Sequence, residues 1–138
     1  MNTTAVNDSD VVILAGSRTP QGRVNGQLAG LTAVHLGTAA IIGALARAEV
    51  KPEQVDFVLM GQVLQAGCGQ NPARQSAIAA GIPWNVPAMT LNKVCLSGLA
   101  AVIDAARLLP VAYVVGAAML VMGVVLIIGD LVVPIQLT

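Results

Sequence analysis

Apolar positions fall into short unbroken runs separated by longer periodic stretches. Residues 11–15 (VVILA) form an unbroken run that ends on the turn signal Gly16-Ser17-Arg18-Thr19-Pro20. A run without polar alternation predicts a strand covered on both faces, as parallel strands are. Residues 21–30 carry glycines at 22, 26 and 30 and read as a loop. From there to about residue 49 the period becomes helical. Leu36, Ala40, Ile41, Ala44, Leu45 and Ala48 share one face, Thr32 stands as an N-cap and Pro52 stops the helix. Residues 55–64 (VDFVLMGQVL) begin β-branched and apolar and predict a second strand, with Gly61, Gly67 and Gly69 around its end. Asn71-Pro72 opens a second helix, because asparagine caps well and proline at the first helical position loses no needed donor. Gly81 ends that helix, Pro83 and Pro87 carry the chain to a short strand at 88–91, and a third helix runs over 95–109 until Pro110. The order β-α-β-α-β-α predicts an α/β architecture, a parallel or mixed sheet with helical cover.

The pattern changes after residue 108. Every Lys and Arg lies before that point, and the only charge beyond it is Asp130. Residues 111–129 (VAYVVGAAMLVMGVVLIIG) contain no charged or amide side chain. A stretch of about 18 such residues is long enough to cross a bilayer as a helix, so the expectation is an apolar helix, a transmembrane candidate, over 111–129. The cations on its N-terminal side would keep the preceding part in the cytoplasm. The alternative is a pair of buried strands at 112–115 and 121–128, supported by the β-branched Val114, Val115, Val121, Val124, Val125, Ile127 and Ile128.

Length and composition narrow the function. At 138 residues the chain is sized for one domain; it is 56% hydrophobic and 10% charged with zero net charge. Such a chain is not disordered throughout. Seven cations without a cluster and 2% aromatic residues argue against nucleic-acid binding. Cys68 and Cys95 make neither a disulfide framework nor a zinc site, so no metal is expected. Residues 1–10 are polar and acidic, unlike a signal peptide, and are expected to be disordered; a cytoplasmic protein is the default.

The sharpest chemical feature is Asn92-Lys93-Val94-Cys95-Leu96-Ser97-Gly98, which sets a cysteine between a strand end and a helix start. Unpaired amides and the positive end of a helix dipole favour an anion there, and the thiolate is the nucleophilic form of cysteine. Ser97 and Gly98 are small enough to let the helix approach other backbone closely. The competing reading is a buried cysteine that acts as a small hydrophobe.

The segment 92–98 (NKVCLSG) resembles the nucleophile motif of thiolases, the acetyl-CoA acetyltransferases and 3-ketoacyl-CoA thiolases. Arg18-Thr19-Pro20, the link VKPEQVD at 50–56 and the block MGQVLQAG at 60–67 followed by GQNPARQ at 69–75 resemble that family in the same order and spacing. Together they cover residues 11–109. The resemblance implies an incomplete thiolase-like β-α-β-α-β-α half-domain, with residues 110–138 as an apolar tail. It implies that Cys95 accepts an acyl group from acyl-CoA or 3-ketoacyl-CoA as a thioester, with CoA thioesters as substrates and no cofactor. It also implies a homo-oligomer, or a full-length thiolase as partner. The family's later Gly-His-Pro motif and second, acid/base cysteine have no counterpart in this sequence. His35 reads as a surface helical residue and Cys68 as structural. Arg18, Arg74 and Lys93 could meet CoA phosphates, although surface or interface charge is the simpler reading. The chain alone is therefore expected to be inactive in turnover, the alternative being a non-catalytic fragment that is membrane-anchored or binds an oligomer.

Overall fold

Local chemistry fixes the helix starts. Helix α1 (Ala33–Ala48) begins at a reciprocal cap. The Thr32 hydroxyl accepts the His35 N–H at 3.3 Å, and the Thr32 N–H donates to His35 Nδ1 at 3.2 Å. The helix ends where Glu49 turns left-handed at φ 56°. Helix α2 (Pro72–Ala79) starts from Asn71, whose side chain accepts the Arg74 N–H, with Pro72 in the first turn. Asn71 Nδ2 also donates to the Ala88 carbonyl at 2.9 Å. The Thr90 hydroxyl donates to Asn71 Oδ1 at 2.8 Å and accepts the Ala73 N–H at 2.9 Å. This network ties the head of α2 to strand β3 (Ala88–Leu91).

The computed structural model describes residues 11–108, 113–118 and 122–128; the expected disordered segment 1–10 lies outside them. The remaining elements are β1 (Val12–Ser17), a 3-10 turn at Pro52–Gln54, β2 (Phe57–Gln62), α3 (Ser97–Leu108), β4 (Tyr113–Ala118) and β5 (Met122–Ile128). The strands form one sheet in the order β1-β4-β5-β2-β3. β1 pairs parallel with β4 and β2 parallel with β3, while β5 runs antiparallel to both β4 and β2.

Alternation along β2 explains its unbroken apolar sequence. Val58 and Met60 join the core beneath α1 and α2 with Ile41, Leu45, Ala73 and Ala77. Leu59 points the other way, into a second cluster with Ala101 and Ala105 of α3. The sheet is thus a middle layer with α1 and α2 on one face and α3 on the other, an α/β arrangement of the kind the element order predicts.

The tail is where the expectation fails. The apolar helix foreseen over 111–129 is replaced by β4 and β5. No helix among the described residues is long and apolar enough to cross a membrane. The physical reason is twofold. β-branched residues favour a pleated strand, and glycines at 116 and 123 weaken a helix by about 1 kcal/mol each. More decisively, the hairpin fills the space between β1 and β2. β4 is the strand beside β1, so without it β1 would have no ladder in this sheet.

Candidate active site

The carboxyl ends of β2 and β3 lie side by side in the sheet, and the chain leaving each carries a cysteine. The end of a parallel strand leading into a helix is where α/β sheets place ligands. From β3 the chain turns sharply over residues 92–96 and enters α3, with Cys95 exposed on that elbow. Val94, just before it, is held at φ 51°, in the left-handed region that a β-branched residue rarely adopts.

Two side chains grip this turn. Asn92 Oδ1 accepts the Val94 N–H at 2.8 Å, while Asn92 Nδ2 donates to the Val63 carbonyl at 2.7 Å. The buried Ser97 hydroxyl accepts the Lys93 N–H at 2.9 Å and donates to the Val94 carbonyl at 2.6 Å. Beneath the turn, Gly61 of β2 lies directly against the helix head. A Cβ there would run into the Ser97 carbonyl and come 2.5 Å from the Gly98 nitrogen. The small residues at 97 and 98 thus permit a close approach, as the sequence foresaw. The matching glycine on β2 and the Asn92 clasp escaped it, because both act across elements distant in sequence.

The result is an exposed thiol on a held backbone at a helix N-terminus, where the dipole favours negative charge. Leu99 and Ile103 stand exposed along α3, with Val94 and Leu96 exposed on the elbow. Cys68, half-buried in the loop after β2, has its sulfur 3.2 Å from Gln62 Nε2, and Gln75 Nε2 donates to its carbonyl at 2.9 Å. His35 is engaged in the α1 cap. Arg74 donates to the Trp84 carbonyl at 3.3 Å and Arg18 to the Thr19 carbonyl at 3.3 Å, whereas Lys93 is exposed two residues from Cys95. No group of three potential metal ligands occurs among the described residues.

The sequence profile of the thiolase N-terminal domain matches residues 11–124. The chain belongs to the thiolase family. The match runs through β4 and into β5, beyond residue 109, where the resemblance was expected to end. Among curated thiolase relatives, the acetyl-CoA acetyltransferase of Cupriavidus necator is 61% identical over 99 residues, which are 72% of this chain and 25% of that protein. The probable acetyl-CoA acetyltransferase of Mycobacterium tuberculosis is 55% identical over 98 residues, 71% of this chain and 25% of that one. A crystal structure of a thiolase from Ascaris suum in complex with coenzyme A superposes with a TM-score of 0.60 at 33% identity, covering 75% of this chain and 26% of that one. This thiolase chain therefore spans about a quarter of the length of the relatives it matches.

Proposed function

We propose that this chain is the acyl-accepting N-terminal part of a thiolase, with Cys95 as the nucleophile. The observation that carries the reading is the exposed Cys95 thiol on a clasped elbow at the head of α3, inside the block that resembles the family's nucleophile motif. The substrate class is acyl-CoA, in line with relatives named acetyl-CoA acetyltransferases and a neighbour crystallised with coenzyme A. The Cys95 sulfur attacks the thioester carbonyl and forms a new C–S bond. The CoA sulfur leaves and carries the proton away as the free thiol, and the acyl group stays on Cys95. The Leu96, Ser97 and Ala100 N–H groups are spent on the Lys93, Val94 and Leu96 carbonyls, so the helix dipole is the contribution of the α3 head to the oxyanion that develops on the way.

Turnover needs more. General acid–base groups each contribute roughly 10²–10⁴-fold. The histidine and second cysteine that serve the family have no counterpart in these 138 residues. These 138 residues by themselves reach the acyl-enzyme, and groups from elsewhere, such as a full-length thiolase partner, complete the site. Both cysteines are unpaired thiols, which favours the reducing cytoplasm as its compartment. The exposed apolar residues Leu99 and Ile103 favour a second reading, a non-catalytic fragment that docks on an oligomer.

The test is intact and peptide mass spectrometry after incubation with acetyl-CoA or acetoacetyl-CoA, with Cys95→Ala as control. One acetyl adduct on Cys95, absent from the control, is the expected result. A Cys95 that alkylates readily yet takes no acetyl group would leave the docking fragment as the better reading.

A further inference from the structure

We propose that Asn92 is the positioning residue for Cys95, acting by holding Val94 in its left-handed conformation; this rests on the reading of Cys95 as the acyl acceptor. Val94 at φ 51° is in a conformation an unrestrained valine leaves. Its peptide is gripped at both ends, the N–H by Asn92 and the C=O by Ser97. The two grips differ in kind. Ser97 lies within the same turn and moves with it. Asn92 reaches out of the turn to Val63, the first residue after β2.

That anchor is itself fixed. Gln62, only 3% exposed, donates through Nε2 to the Leu64 carbonyl at 2.8 Å, and Gln65 Nε2 donates back to the Gln62 carbonyl at 3.0 Å. Asn92 therefore transfers the rigidity of the central sheet to the residue preceding Cys95. An asparagine that accepts the N–H two residues on forms an Asx-turn, and its amide N–H₂ remains available for a second partner. Asparagine does both here, with its oxygen on Val94 and its nitrogen on Val63. Alanine keeps neither contact, while aspartate keeps only the acceptor.

The test uses the full chain with Asn92→Ala, Asn92→Asp and the double variant Asn92→Ala/Val94→Gly. The readouts are the rate of Cys95 acetylation by acetyl-CoA, iodoacetamide labelling of Cys95 relative to Cys68, and the intraresidue amide–Hα NOE of Val94, which is strong at positive φ. Asn92→Ala is expected to slow acetylation about tenfold, since a valine released from the left-handed region relaxes readily. Labelling of the exposed thiol should change far less, and the Val94 NOE should weaken. Asn92→Asp should fall less than alanine. Val94→Gly should restore part of the rate, because glycine holds positive φ without strain. An unchanged Val94 NOE in Asn92→Ala would overturn the proposal, as would a slowed rate that neither aspartate nor glycine improves. If the parent chain takes no acetyl group, the reading of Cys95 fails, and the NOE alone decides whether Asn92 holds the elbow.

Discussion

Replacing Gly61 with alanine tests whether the approach of α3 to β2 sets the position of Cys95. The added Cβ would lie 2.5 Å from the Gly98 nitrogen and closer still to the Ser97 carbonyl. Ordinary contact between such atoms begins near 3.5 Å, so the head of α3 must retreat by about 1 Å. Both obstacles are backbone, and no rotamer change relieves them. Overpacking of this kind costs about 1–3 kcal/mol. Alanine regains about 0.5–1 kcal/mol over glycine in a strand interior by reducing the entropy lost on folding. The net expectation is a loss of about 0–2.5 kcal/mol.

The chemical effect should be larger than the stability effect. Cys95 lies two residues before α3 and shares the Ser97 clasp, so it moves with the helix head. A displacement near 1 Å from attack geometry can cost about 10²-fold in rate. The assay pairs urea unfolding, followed by circular dichroism, with the rate of Cys95 acetylation below the transition. Gly30→Ala is the control: nothing lies within 4 Å of a Cβ there. That variant should stay within about 0.5 kcal/mol of the parent and react at its rate. A Gly61→Ala chain that unfolds at the parent's midpoint and acetylates at the parent's rate would refute the reasoning.

Two further predictions concern the scaffold. Asn71→Ala removes the α2 cap together with the bonds to Ala88 and Thr90, and urea unfolding should show a loss of about 1–3 kcal/mol; a loss below 0.5 kcal/mol would show the network to be idle. Val124→Pro places a residue without an N–H in β5, between Met60 of β2 and Ala117 of β4. It should abolish cooperative unfolding, since proline is excluded from central strands; an intact transition would mean the tail is not in the sheet.

Much of the first 108 residues was legible because it is written in local chemistry. Thr32 and Asn71 satisfy the first amides of their helices wherever those helices pack, and strand β3 falls on 88–91, just after the prolines at 83 and 87. The tail was not legible, because its sequence satisfies two solutions. An uncharged run of valine, isoleucine and alanine is long enough for a membrane helix and β-branched enough for two strands. What decides between them is a vacancy in the sheet between β1 and β2, and no property of residues 111–129 reports it. The same holds for the site. Cys95 stands out from its neighbours in sequence, whereas the groups that hold it, Val63 and Gly61, lie about 30 residues upstream and are ordinary in their own context.

The tail also reaches the site. In the register of the sheet Gly61 pairs with Gly123 of β5, and paired residues on adjacent strands share a face. α3 packs against β5 as well as β2. The head of the nucleophile helix lies against Gly61, and the residue beside Gly61 in the sheet is also a glycine. Gly123 thus sits in the sheet at the position paired with Gly61. β4 and β5 then have two roles, to pair β1 into the sheet and to supply part of the surface against which α3 packs. A thiolase segment ending at residue 109 would keep every residue of the elbow and its clasp. It would lose the strand that pairs with β2 from Phe57 to Gln62, the residue next to the Val63 carbonyl that Asn92 grips.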